Sequence, residues 1–223
     1  MISVIIPALN EEQALPATLD NLMRQGGDFE IIVVDGGSSD QTRSLAEAHA
    51  GVHVIESARG RATQMNAGAR QAVGDWLLFL HADTLLPDGA IVSIENLPTH
   101  VLAGGFRHRF SGHSFSVRLV SRLHNLRCRI TRVFYGDQAP FFRREFFTAL
   151  GEYPQTPILE DVLLGERVAA ETKPLIMRSH VITDSRKFEK EGVWRSFWRV
   201  LVILARHELK LPIRSQAFFR AVR

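Results

Sequence analysis

The chain has 223 residues, 45% of them hydrophobic, with a formal charge of +3. That length carries one sizeable α/β domain, or one domain with a small appendage. The single cysteine, Cys128, excludes an intramolecular disulfide and fits a reducing compartment, and no apolar run approaches the roughly 20 residues of a membrane span.

Met1 leads straight into Ser3-Val4-Ile5-Ile6 with no basic leader, so no signal peptide is expected. Residues 2–7 are a β-branched run ended by Pro7 and predict a buried strand. Ala8-Leu9-Asn10 reads as a loop. Glu11 and Glu12 then lead a helix with Pro16 in its first turn and Leu15, Leu19, Leu22 and Met23 on one face, stopped by Gly26-Gly27. Residues 30–35 predict a second strand ended by Asp35. Gly36-Gly37-Ser38-Ser39-Asp40 is a tight turn, in which Ser39 or Asp40 can cap a helix starting near Gln41. Residues 52–55 predict a third strand. Arg59-Gly60-Arg61 opens a helix of small residues, Ala62, Ala69 and Ala72, that Gly74 ends.

Trp76-Leu77-Leu78-Phe79-Leu80 is apolar without alternation, as in a strand buried on both faces. The run stops at His81-Ala82-Asp83. Asp83 is either a ligand for a hard divalent cation or the cap of the following turn. The alternation of strand and helix predicts a parallel, Rossmann-like sheet that gathers Asn10, Asp35, Arg61 and Asp83 at one edge. A nucleotide suits that edge: carboxylates for base and ribose, an arginine and a metal for phosphates. Gly-x-Gly-x-x-Gly and Gly-x-x-x-x-Gly-Lys-Ser/Thr are both missing, which argues against a standard NAD or FAD site and against a P-loop.

Three stretches in register, Ser3-Val4-Ile5-Ile6-Pro7-Ala8-Leu9-Asn10-Glu11, Ile32-Val33-Val34-Asp35-Gly36-Gly37-Ser38-Ser39-Asp40 and Phe79-Leu80-His81-Ala82-Asp83, resemble the family-2 glycosyltransferases of GT-A fold over about the first 90 residues. The resemblance implies an α/β fold with a mostly parallel central sheet and helices on both faces. It implies that Ala8, Asn10 and Glu11 line a nucleotide, that Asp35 meets the base, and that Gly60 and Arg61 sit near nucleotide and diphosphate. His81 and Ala82 belong to the same nucleotide-binding motif, and Asp83 is its metal-binding carboxylate. His81 stands where the family commonly has an acid, and meets the ribose or packs. An imidazole suits Mn²⁺ better than Mg²⁺, so the cofactor is expected to be one of these two cations.

In the second half, residues 101–106 predict a strand. Residues 114–132 predict a basic helix with Val117, Val120, Leu123, Leu126 and Ile130 at apolar spacing, either facing the core or lying on a membrane surface. Seven arginines and no acid fall between Phe106 and Val133, and eleven Lys/Arg against four acids between Arg178 and Arg223. Such local charge points to an anionic partner; no nucleic-acid module is present. Gly136-Asp137-Gln138 resembles the family's sugar-pocket segment, or is a plain turn. Glu160 and Asp161 open a helix, where acids counter the macrodipole; the resemblance makes Asp161 the catalytic base of an inverting enzyme, with Glu160 the alternative. Arg186 and Lys187 can reach a diphosphate or an anionic acceptor. The Gln-x-x-Arg-Trp motif of processive relatives is missing. Residues 192–207 predict a helix with tryptophans and arginines beside an apolar stripe, suited equally to an interface with membrane and to docking on the domain or a partner, and Phe218-Phe219-Arg220 continues that surface.

The organisation expected is a transferase domain over 1–191, with a nucleotide half over 1–90 and an acceptor half over 91–191, followed by a basic tail. The expected activity is metal-dependent sugar transfer from a nucleotide-diphosphate sugar, in the cytoplasm or peripherally at the inner membrane face, to an acceptor that is lipid-linked if the tail meets membrane. The alternatives are a sugar-phosphate nucleotidyltransferase, which usually has a glycine- and lysine/arginine-rich loop that is missing after the first strand, and a non-catalytic nucleotide-binding or membrane-docking protein on the same scaffold.

Overall fold

A computed structural model describes residues 1–211, with Lys187 described by its backbone alone. In chain order it contains β1 (Ile2–Ala8), α1 (Leu15–Met23), β2 (Phe29–Asp35), α2 (Thr42–Glu47), β3 (Val52–Glu56), α3 (Arg61–Gln71) and β4 (Trp76–Phe79). There follow β5 (Thr84–Leu85), α4 (Ala90–Glu95), β6 (Ala103–Phe110), α5 (Phe115–Thr131), a 3₁₀ turn (Gly136–Gln138), β7 (Phe141–Arg143), α6 (Arg144–Ala149), α7 (Glu160–Glu171), β8 (Leu175–Thr183), α8 (Arg186–Lys190) and α9 (Val193–Glu208).

One sheet runs β3-β2-β1-β4-β7-β6-β8-β5. The half built from β1 to β4 is parallel, as the strand–helix alternation predicts. β7 then enters antiparallel between β4 and β6, so the second half is mixed. The pleat sends alternate residues of the central strands into two separate cores. Ile2, Val4, Ile6, Trp76, Leu78 and Leu80 join one core, under α1 and α4. Ile5, Leu77 and Phe79 join the other, under α3 and α7. Burial on both faces is why these runs show no alternation; each such side chain contributes about 1.5–3 kcal/mol.

Register carries the strand ends to one level. Ile2 pairs with Phe29 and with Trp76, so Ala8 lies opposite Asp35, and the chain leaving β4 emerges beside them. Gly68 lets α3 lie close on this sheet: a Cβ there would stand 2.5 Å from Ile5 Cγ2. The start of α3 is thereby set at the same edge.

Three expectations change. β6 runs four residues beyond Phe106, because His108 turns inward between Arg107 and Arg109 and keeps the two-residue alternation going. Thr84–Leu85, expected as a turn, pairs with β8. The apolar stripe of α5 is not a core face: Val117 and Val120 are buried, whereas Leu126 and Ile130 are 52% and 74% exposed. The inward stripe of α5 carries Ser121, His124 and Cys128 instead. Cys128 is a packed thiol, and burial raises its pKa. Phe218, Phe219 and Arg220 lie outside the described residues.

Candidate active site

The strand ends open into a cavity of about 290 Å³. Its walls come from the end of β1 (Ala8, Glu11), the start of α3 (Gly60, Arg61), the chain after β4 (His81, Ala82, Asp83), the 3₁₀ turn (Asp137), and the start of α7 (Glu160, Asp161). Ten residues singled out in the sequence thus share one cavity.

Arg61 is the centre of its charge. Burial works against the guanidinium, yet Glu160, Asp161, Asp83 and Asp137 around it outweigh that and raise its pKa above the ordinary value. Arg61 Nη1 stands 3.5 Å from Glu160 Oε1, and the Glu160 side chain is only 3% exposed. Glu160 is therefore spent on a buried ion pair. Asp161 faces the cavity with both carboxylate oxygens held: Oδ2 accepts from the Gly136 N–H at 2.9 Å and Oδ1 from the Val162 N–H at 2.8 Å. Leu159, just before them, adopts a left-handed φ of 63°, a conformation that a branched side chain pays for and that aims the two acids at the cavity.

Asp83 sits on the segment between β4 and β5, and its backbone carbonyl accepts from the Asp184 N–H at 3.0 Å, which ties it to the end of β8. His81 packs on the 3₁₀ turn so closely that a Cβ on Gly136 would clash with its Nε2. One carboxylate at the wall of this cavity suits Mg²⁺ or Mn²⁺, which take one or two protein carboxylates and complete their shell with substrate phosphates and water. Among the described residues, the one group of three ligating side chains is His108, His124 and Asp137, and Asp83 is not part of it.

Four singled-out residues do not line the cavity. Asn10 and Asp35 are engaged in the turn after β2: Asn10 Oδ1 accepts from the Ser39 N–H at 2.8 Å, and Asp35 accepts from the N–H groups of Gly37 and Ser38. Gln138 is fully buried, donating to the Phe106 carbonyl and accepting from Arg127 and the Tyr135 N–H. Arg186 points to solvent and pairs with Asp184 at 2.6 Å.

Two contributors were not legible in advance. Gln64, one turn after Arg61, donates to the carbonyls of Ala8 and Val34 at 2.8 and 2.9 Å and joins the ends of β1 and β2. α9 closes the far wall with Ser196, Val200, Ile203 and Leu204. Their i, i+4, i+7, i+8 spacing is the signal; which surface it docks on is not in the spacing. The opposite face of α9 leaves Trp194, Trp198 and Val202 about half exposed or more, so the helix both docks on the domain and presents an apolar outer face.

Residues 3–149 match the family model described as Glycosyl transferase family 2. The chain belongs to that family, and its fold is that of GT-A glycosyltransferases. A PGL/p-HBAD biosynthesis glycosyltransferase of Mycobacterium tuberculosis is 36% identical over 171 residues, covering 69% of this chain and 63% of that protein; the chain thus spans less than two thirds of that relative. An undecaprenyl-phosphate 4-deoxy-4-formamido-L-arabinose transferase of Pectobacterium carotovorum is 37% identical over 97 residues, 39% of this chain and 30% of its own. Among solved structures, a mannosyltransferase from Pyrobaculum calidifontis in complex with GDP-Man and Mn²⁺ superposes with a TM-score of 0.65 at 24% identity, over 87% of this chain and 59% of that one. The glucosyl-3-phosphoglycerate synthase of Mycobacterium tuberculosis, with Mn²⁺, UDP and glucosyl-3-phosphoglycerate, gives 0.64 at 21% identity over 96% and 81%.

Proposed function

We propose that this chain transfers a sugar from a nucleoside-diphosphate donor to an acceptor hydroxyl, inverting the anomeric carbon, with Asp161 as general base. The observation that carries this reading is the convergence of Asp161, Asp83 and Arg61, from three separate elements, on one cavity. The acceptor oxygen attacks the anomeric carbon, the bond from that carbon to the diphosphate breaks, and the acceptor proton passes to Asp161. Such a base typically contributes 10²- to 10⁴-fold. The Gly136 and Val162 N–H groups orient its carboxylate. Glu160, with its charge engaged by Arg61, is the weaker candidate for the base. Arg61 offers positive charge to the leaving diphosphate.

Asp83 would hold Mg²⁺ or Mn²⁺ against the diphosphate, and the bound cation would neutralise charge on the leaving group. Ala8, Glu11, Gly60, His81 and Ala82 line the donor side. Asn10 and Asp35 act there by shaping the turn after β2. Residues 1–90 form the nucleotide half; the acceptor half includes α9 as well as residues 91–191, since α9 walls the cavity.

For the acceptor we favour a lipid-linked molecule, met at a membrane surface. Exposed Trp198 and Val202 of α9 and exposed Phe115, Leu126 and Ile130 of α5 have arginines beside them, a pattern that suits an anionic lipid interface, and α5 and α9 touch. The word undecaprenyl-phosphate in one relative's name agrees with this. No helix among the described residues is long and apolar enough to cross a membrane, so the contact proposed is peripheral, on the cytoplasmic face.

The test is a thermal-shift panel of UDP, GDP, CDP, dTDP and ADP with and without Mn²⁺, on the wild type and Asp83→Asn. A ligand at a hundredfold excess over its Kd adds about 2.7 kcal/mol to apparent stability. A metal-dependent shift with one nucleotide, lost in the variant, is the expected result. No shift with any diphosphate would overturn the reading and leave Asp83 as a turn residue.

A further inference from the structure

Behind the floor of the cavity, three ligating side chains converge from three elements. His108 comes from β6, His124 from the inward face of α5 and Asp137 from the 3₁₀ turn. His124 Nε2 stands 3.3 Å from Asp137 Oδ1, and His108 Nε2 stands 3.6 Å from Asp137 Oδ2. Three ligating atoms, one from each residue, lie within 4.8 Å of one another.

As a hydrogen-bonded cluster this arrangement is poor. An N–H···O bond of ordinary length is 2.7–3.2 Å, and 3.6 Å is outside it. Both ring nitrogens of His108 are buried without a hydrogen-bond partner, and His124 Nε2 and Asp137 Oδ1, also buried, face only each other at 3.3 Å. So many unsatisfied atoms in one place require an explanation, and an ion is one of the few available. As the beginning of a coordination shell the arrangement fits better. Two ligands each about 2.0–2.1 Å from a tetrahedral ion stand about 3.3–3.4 Å apart; His124 Nε2 and Asp137 Oδ1 already have that separation, His108 Nε2 is 3.6 Å from the other carboxylate oxygen, and one ligating atom from each residue lies within 4.8 Å of the other two, so a small inward movement completes the shell.

The rest of the fold supports the cluster. Asn125 clamps the backbone of His108 from both sides: its Oδ1 accepts from the His108 N–H and its Nδ2 donates to the His108 carbonyl, both at 2.8 Å. α5 turns His124 inward while leaving Leu126 and Ile130 to solvent, an inversion of ordinary burial that a ligand role explains.

We propose that His108, His124 and Asp137 form a transition-metal site of Zn²⁺ type that ties β6 and α5 to the turn on the cavity floor. Two imidazoles and one carboxylate suit Zn²⁺ and its neighbours rather than Mg²⁺. The site is distinct from Asp83. Three protein ligands leave a fourth position for water or another oxygen ligand. The ion would steady the Gly136–Gln138 turn, whose first N–H holds Asp161.

The experiment is metal analysis of the full chain, without a histidine tag, loaded with Zn²⁺ and freed of unbound metal. It compares the wild type with His124→Gln, Asp137→Asn and Asp83→Asn, each checked for folding by circular dichroism. Retention of one zinc per chain by the wild type and by Asp83→Asn, with a roughly tenfold or greater loss of zinc affinity in the other two, is expected. A wild type that retains no zinc overturns the proposal. So does zinc affinity unchanged in His124→Gln and Asp137→Asn, or lost only in Asp83→Asn. If the ligand variants fail to fold, Co²⁺ loading of the wild type decides. An intense visible band of tetrahedral cobalt supports the site; a weak octahedral spectrum overturns it.

Discussion

The first residue of α3 and the first residue of α7 meet: Arg61 Nη1 lies 3.5 Å from Glu160 Oε1, with Glu160 buried. This contact joins the two halves of the cavity wall and puts a fixed positive charge among four carboxylates. Breaking a buried pair by removing one partner costs about 3–5 kcal/mol, because a buried charge loses its counter-charge. Arg61 is 31% exposed on its side chain, which places Arg61→Ala at the lower end, about 3 kcal/mol. In urea unfolding, Arg61→Ala and Glu160→Ala should each destabilise, and the double variant should cost less than their sum by about 1–3 kcal/mol. Additive single effects would mean that the pair does not join the walls.

Asp161→Asn retains the size of the side chain but cannot take a proton. We expect kcat for sugar transfer to fall about 10²- to 10⁴-fold. Nucleotide affinity, measured by calorimetry, should stay within a factor of about three, since the change removes no donor-side group. A variant with near wild-type kcat would pass the base role to another group, and Glu160 would be tested next.

Gly68→Ala tests how α3 is seated. The new Cβ would stand 2.5 Å from Ile5 Cγ2 and 3.0 Å from Val34 Cγ2, both in the core. Overpacking of this sort costs about 1–3 kcal/mol. Because α3 begins at Arg61, a shift of the helix also moves the guanidinium. The thermal midpoint and nucleotide affinity should fall together; loss of stability alone would show that the start of α3 is held independently of its middle.

Trp198→Glu with Val202→Glu tests the outer face of α9. These side chains are 63% and 53% exposed, so the fold should lose no more than about 0.5 kcal/mol. Flotation with anionic vesicles should recover the wild type and leave the double variant behind. Equal recovery of both would remove the membrane reading of this helix, and equal absence of both would do the same.

The strands at the centre of the sheet, and Asp83 beyond them, were written in local sequence. Residues 4–6, 31–34 and 76–80 are unbroken apolar runs because both faces of those strands are covered. The small residues after Arg61 likewise signal a helix lying close on that sheet, and Glu160-Asp161 before Val162 a helix start. Periodicity of this kind depends on a residue's near neighbours. Which face of an amphipathic helix meets the protein depends on the partner, and here only the tertiary structure decided. α5 has an apolar stripe at helical spacing, yet the fold buries the face with Ser121, His124 and Cys128, because β6 and the 3₁₀ turn offer polar groups there. α9 has two usable faces, and its position over the cavity chose between them. Asn10 and Asp35 reach the expected edge, where both take part in the hydrogen bonds of the turn after β2. The strands were determined by sequence because burial on both sides leaves no choice of face; the cavity walls required the assembled fold because each of them had one.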